Sequence, residues 1–321
     1  MMEYEIFKGV VGEKFKEFLP EEYRNAQVEI RQVNKTNSKW DGLSVISDES
    51  GISPTIYVNQ MYEDYLETGN LNETLERAAE VYVKAMEGKK NINIQDCFDA
   101  DYAKENIVFQ LINTEQNKEM LANMPSFTFQ DLSVIYRMVV KVDERGITSS
   151  PINNRLAREF GFTEEQLFQL AAENTKRIFP PVIKTMNEIM RELFMKEDGM
   201  VEEMVDMMLD EIPKEQQMYV ISNNHGVNGA VSMLYEDVLH NLAEKLDSDL
   251  YILPSSIHEV IAVGTNMGDP DELASMVAEI NMDQVKVEER LSNQVYLYDK
   301  DLRKVSLATD TPNKRLDGIG A

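Results

Sequence analysis

Cysteine is almost missing from this chain. Cys97 stands alone among 321 residues, so no internal disulfide can form, and a chain for an oxidising compartment would normally carry more staples. The sequence therefore predicts a cytoplasmic protein. Histidine is nearly as scarce, with His225, His240 and His258 only, which together with one cysteine leaves few zinc ligands. His258-Glu259 lacks the second histidine of the zinc-helix signature, because position 262 is Ala262. With no calcium-loop spacing either, neither a metal nor another cofactor is expected. No stretch approaches the roughly 20 apolar residues of a membrane span. The opening MMEYEIFKGVVGEKFKEFLP carries charges throughout, unlike a signal peptide. Basic residues are outnumbered, 32 against 57 acidic ones, and a net charge of −25 repels phosphate backbones and anionic lipid. Nucleic acid and membrane partners are excluded on that ground. The acidic residues are scattered, not striped, which fits a hydrated surface. No internal repeat or low-complexity tract is visible, so solenoids and propellers are set aside.

What is present is enough apolar sequence, 43%, for two or three packed units. Residues 4 to 19 place Ile6, Val10, Val11, Phe15, Phe18 and Leu19 at helical spacing. VEIRQV, WDGLSVIS and ISPTIYV then read as an antiparallel meander. Two helices follow, NQMYEDYLETG with Asn59 as cap and LNETLERAAEVYVKAMEG with Asn70 or Asn72 as cap, stopped by Gly69 and Gly88. Beyond polar GKKNINIQDCFDADYAKEN come a strand, IVFQLIN, a short helix over Lys118 to Asn123, and a long strand, DLSVIYRMVVKVDE. After Pro151 the period changes to helical: INNRLAREFG, then FTEEQLFQLAAENTKRIF with Thr163 and Gln166 as a capping box, then VIKTMNEIMRELFM beyond Pro180-Pro181. The remainder reads as VEEMVDMMLDEI, strand MYVIS, a Gly-rich turn, helix AVSMLYEDVLHNLAEKL, strands LYIL and VIAV, helix DELASMVAEIN and the hairpin NQVYLYDKDLRKVSLA. The expected class is α+β: an N-terminal helix with meander and helix pair (residues 1–90), a mixed central region (91–200), a C-terminal βαββαββ-like unit (201–308) and a flexible tail (309–321).

Several segments carry a resemblance: PTIYVNQMYEDYLETGNLNETL, FQLINTEQNKEML, FQDLSVIYRMVV, FTEEQLFQLAAENTKRIFPP, YVISNNHGVNGAVSMLYEDVLHNLAEKL, LPSSIHEVIAVG and LSNQVYLYDK. Together they resemble an uncharacterised bacterial family, a domain of unknown function, over most of the chain. The middle part, DLSVIYRMVVKVDE through EEQLFQLAAENTKR, is also similar to a second, shorter uncharacterised bacterial family. The resemblance implies shared architecture and brings no activity, cofactor or catalytic residue with it.

Two polar turns are the candidate site. In Asn223-Asn224-His225-Gly226-Val227-Asn228-Gly229 the chain passes from a strand to a helix, where backbone amides can cradle an anion. The turn has neither the Lys-Ser/Thr pair nor the three spaced glycines of a nucleotide loop. Asn228 as a helix cap and glycines at positive φ explain the same residues structurally. In LPSSIHEVIAV, Ser255, Ser256, His258 and Glu259 cluster. Ser256 and His258 invite a nucleophile reading, but catalytic Ser and His normally meet from different elements, and no G-x-S-x-G elbow is present. A proline-led turn whose hydroxyls and imidazole satisfy loop amides is the plainer role. Parallel pairing of MYVIS with LYIL through the intervening helix would bring both turns to one sheet edge. His240, beside Leu239 and Leu242, reads as a boundary residue.

Met186, Met190, Met195, Met200, Met204, Met207 and Met208 crowd one region. Mixed at helical spacing with Leu193, Phe194, Val201 and Leu209, they read as core, with an adaptable partner groove as the alternative. On these grounds the leading reading is an interaction or accessory protein with a protein partner. A small-ligand or anion-binding module built on the two turns comes second, and a hydrolase using Ser256 and His258 third.

Overall fold

The computed structural model describes residues 1–46, 53–89, 99–143, 146–196, 199–209, 212–213 and 216–310. Cys97 and most of the expected tail, 311–321, lie outside the described residues. The chain divides into two compact units, Met1–Ile94 and Gln95–Ala321.

In the first unit, helix α1 (Tyr4–Lys14) leads through short 3₁₀ turns into strands β1 (Gln27–Lys35), β2 (Ser38–Ile46) and β3 (Thr55–Tyr57), then helices α2 (Val58–Thr68) and α3 (Leu71–Lys89). The strands form the expected antiparallel meander, in order β1-β2-β3. Gly69 ends α2 at φ +66°, and the Asn70 side chain accepts the Glu73 N–H at 3.4 Å. Asn59 is no cap: α2 starts one residue earlier, and the Asn59 carboxamide instead accepts the Asp41 N–H at 2.8 Å. Phe7, Val11, Phe15, Leu43, Val58, Leu75 and Tyr82 are buried together as this unit's core.

The second unit contains α4 (Ala100–Asn106), β4 (Ile107–Asn113), α5 (Lys118–Leu121), β5 (Ser126–Phe129), β6 (Leu132–Asp143), β7 (Gly146–Pro151), α6 (Asn154–Phe160) and α7 (Glu164–Ile178). It continues with β8 (Pro181–Thr185), α8 (Met186–Lys196), α9 (Glu202–Met208), β9 (Tyr219–Asn223), a 3₁₀ turn over Gly229–Leu234, α10 (Glu236–Leu246), β10 (Leu250–Leu253), β11 (Val260–Gly264), α11 (Pro270–Asp283), β12 (Tyr296–Asp299) and β13 (Lys304–Leu307). Long β6 pairs with β4 along one edge, while β5 and β7 take successive stretches of the other. The second sheet has six strands in order β13-β12-β10-β11-β9-β8, all antiparallel. One apolar cluster joins Phe109, Leu111 and Tyr136 of the first sheet to Leu167 of α7 and to Tyr219, Ile221, Ile252, Val260 and Tyr296 of the second. The α+β class expected from sequence is thus what the chain adopts, with antiparallel sheets throughout.

Four local expectations fail here. Val182 and Ile183 do not open a helix; they extend β8 against β9, and α8 starts only at Met186. The segment after Gly229 winds first as a 3₁₀ turn, with α10 beginning at Glu236. Thr309, placed in the tail, is buried and binds Gln294 and Val295. The methionine-rich region is not core. No residue of α8 is buried, and Met204 and Met207 are 53% and 88% exposed. The reason is positional: α8 packs on the edge strand β8 and on short α9, so its apolar stripe has no further layer to face.

Candidate functional site

The two polar turns meet, though not by parallel pairing. Strand β11, not β10, lies beside β9, and the pair is antiparallel with Val260 opposite Ile221. Antiparallel pairing sets the end of β9 against the start of β11, so NNHGVNG and PSSIHE share one sheet edge. The contact is close. Ser222 Oγ donates to the His258 carbonyl at 2.7 Å, Ala230 N–H to the Ile257 carbonyl at 3.2 Å, and Asn228 N–H to His258 Nδ1 at 3.3 Å. Gly229 is what permits this approach. A Cβ there would sit 2.2 Å from Ser222 Oγ and 2.5 Å from the His258 carbonyl oxygen, closer than any real contact.

Within the first turn, buried Asn223 does the internal bonding: its Oδ1 accepts the His225 N–H at 2.9 Å, and its Nδ2 donates to the Val227 carbonyl at 2.8 Å. Gly226 takes φ +65° and Asn228 φ +53°. Asn228 is no side-chain cap; its Oδ1 accepts from Gln110 Nε2 at 3.3 Å. Asn224 and His225 are exposed, Asn224 N–H donating to the Pro180 carbonyl and His225 meeting Phe179 edge-to-face at 5.6 Å. His240 lies apart on α10, its Nε2 2.9 Å from Arg303 Nη2.

In the second turn, Ser256 Oγ accepts the His258 N–H at 3.0 Å, and Ser256 is buried in a bridge with Arg290. The Ser255 carbonyl accepts the Leu291 N–H at 2.9 Å. Because His258 Nδ1 accepts from Asn228, the neutral ring carries its proton on Nε2, which lies 3.6 Å from Glu289 Oε1. Glu259 is the perturbed group: burial raises its carboxyl pKa and nearby Glu289 adds to this, while the His258 charge and a Ser256 hydrogen bond oppose it.

A cavity of about 460 Å³ opens beside the junction, lined by Val182, Lys184, Ile189, Val220, Ser222, Asn223, Asn224, Gly226 and Glu259. Strand alternation explains it. Ile221 and Val260 face the core, so Val220, Ser222 and Glu259 face outward with their β8 partners Val182 and Lys184. Under β10 and β11 that outer face is covered by α11 through Leu253, Val263, Ala274 and Val277; on β8 it meets α8. Lys184 is engaged by Glu192, at 2.6 Å. Of the residues singled out from sequence, Asn223, Asn224 and Glu259 line this cavity, Asn228 and His258 bond across the junction with Ser256 holding the His258 N–H, and His225 and Ser255 take no part in either. Val182 and Lys184 enter the lining because Pro181–Thr185 is a strand and not the start of a helix, and Ile189, Val220 and Ser222 join them from the expected helix and from the expected strand MYVIS. Among the described residues, no three His, Cys, Asp or Glu side chains converge on a metal position, and no helix is long and apolar enough to cross a membrane.

A family described as "Family of unknown function (DUF5688)" matches residues 4–300. The chain belongs to this family. The DUF5688 match runs through both compact units and both polar turns. No curated protein and no solved structure matches the chain.

Proposed function

We propose that this DUF5688 chain is a cytoplasmic binding protein that takes a small amphipathic molecule into the outer-face cavity. The apolar part would rest on Val182, Ile189 and Val220, with a hydrogen-bond-donating or cationic head toward Asn224 and Glu259. The observation that carries the reading is the cavity itself, about 460 Å³ at the junction of the two turns, within the usual range for small-molecule sites. A donor head is favoured because Lys184 is already paired with Glu192, whereas Glu259 is half-buried near a second carboxylate, Glu289. A hydrolase draws less support: Ser256 Oγ is bonded to a main-chain N–H, and His258 Nδ1 to another, so imidazole and hydroxyl do not form a nucleophile–base pair. The test is a thermal-shift screen of small amines, amino alcohols and neutral amphipaths on the full chain and on Val220→Trp, which fills the cavity floor. The expected result is a saturable rise in melting temperature for donor-headed compounds that disappears in Val220→Trp while its own melting stays cooperative. A panel without saturable hits, or hits that persist in the variant, refutes it.

A second reading, a protein-docking face, draws support from the exposed apolar side chains of Leu193, Met204, Met207 and Met208. Thioethers adapt to varied partners, and exposed Glu188 and Glu202 among them favour a basic amphipathic helix as occupant. A labelled Leu/Lys helical peptide should bind the full chain and lose affinity on the order of tenfold with Met207→Ser/Met208→Ser. Equal binding by a scrambled peptide of the same charge overturns this reading.

A further inference from the structure

The chain carries 57 acidic residues against 32 basic ones, yet Arg137, set in the middle of β6, has no carboxylate partner among the described residues. Its guanidinium is held by neutral oxygens instead. Nε donates to Ser149 Oγ at 2.8 Å, Nη2 to the Ser149 carbonyl at 2.9 Å and Nη1 to Gln110 Oε1 at 3.3 Å. These bonds use three of its five N–H groups and leave one on each of Nη1 and Nη2. The side chain stands on the face of the β4–β6 sheet that also carries Val108 and Val139, away from the main core and only partly exposed. Burial lowers its pKa, and no acidic neighbour offsets that shift.

Such an arrangement is unfavourable for the free chain, since a desolvated cation ordinarily recruits an acid. Here acids are abundant, and none among the described residues is supplied. The orientation is nonetheless fixed from both sides: the Ser149 oxygens hold one edge of the guanidinium, and Gln110, its Oε1 toward Arg137, has its Nε2 anchored on Asn228 Oδ1 at 3.3 Å. A rigid planar fork with one N–H unspent on each of Nη1 and Nη2 suits the two oxygens of a carboxylate. We infer that Arg137, positioned by Ser149 and Gln110, is the anchor of a binding site for a small carboxylate, separate from the cavity beside β8 and β9.

The test uses the full chain with sodium acetate, phosphate, sulfate and chloride as probes at matched ionic strength, read by calorimetric titration and by melting temperature. Acetate is expected to bind saturably and to raise the melting temperature above the chloride control. Affinity should fall on the order of tenfold in Arg137→Gln. Arg137→Lys keeps the charge without the fork and should lose the preference for acetate over chloride. Saturable binding of phosphate or sulfate with none of acetate overturns the carboxylate assignment. An acetate effect that survives in either variant, or no saturable heat with the unaltered chain, overturns the site; the last measurement decides the matter even if both variants fail to fold.

Discussion

Glu259 shows how one side chain registers its surroundings. Burial raises its carboxyl pKa, so just above the ordinary carboxylate range the folded chain holds a proton that the unfolded chain has released. Stability must then fall as pH rises through that window, and the loss persists at neutral pH. Glu259→Gln removes the titration while keeping an acceptor for Ser256. Its melting temperature should exceed that of the unaltered chain at pH 7, with the difference closing as pH drops to about 4. Melting curves across that range check this, and a difference independent of pH would contradict it. The histidines divide in the same residue-by-residue way. His225 is exposed, so His225→Ala should change stability by under about 1 kcal/mol. His258→Ala strands the Asn228 N–H and should cost about 1–3 kcal/mol in a urea titration. Equal effects would mean that the Asn228–His258 bond does not hold the turn.

Among the elements, α7 is the clearest case of local sequence setting a boundary. Thr163 accepts the Gln166 N–H at 3.2 Å, and Gln166 Oε1 accepts the Thr163 N–H at 2.9 Å. Thr163→Ala should lower stability by about 1 kcal/mol, seen as a shifted urea midpoint at constant slope; no shift would mean that the helix start is held by packing alone. The same grammar stands at Thr185. Its hydroxyl accepts the Glu188 N–H at 3.1 Å while Glu188 Oε2 accepts the Thr185 N–H at 2.6 Å, a second capping box, here Thr-x-x-Glu, marking the start of α8. The box puts the helix start after Thr185, which leaves Val182 and Lys184 to alternate on a strand and supplies two of the nine residues that line the cavity. The meander, α7, α11 and the terminal hairpin were legible because period and caps agree. The exposure of the methionines was not, since the same apolar spacing serves a buried helix and one left at a sheet edge. Strand neighbours were likewise hidden: β11 enters between β10 and β9, an order that no local pattern encodes.

At the scale of the whole second unit, polar contacts tie distant segments across its core. Asp131, between β5 and β6, accepts from the hydroxyls of Tyr296 on β12 and of Ser292, the latter at 2.6 Å. Asn113 Nδ2 donates to the Leu291 carbonyl at 2.7 Å. Asp131→Ala would leave two largely buried hydroxyls without this acceptor and should destabilise the unit by about 2–4 kcal/mol; an unchanged denaturation midpoint would assign the cohesion to apolar contacts alone. The same long reach governs how the protein is made. Tyr296 and Tyr298 pack in one cluster with Ala103 and Ile107, so that core cannot close until nearly 200 further residues have left the ribosome, roughly 10–40 s at ordinary rates of synthesis. The first unit, whose core ends at Tyr82, can finish folding early in that interval. Meanwhile the core-facing side of the β4–β6 sheet waits for the second sheet to cover it, and it is during that wait, more than in the finished molecule, that a net charge of −25 opposes the adhesion of one nascent chain to the next.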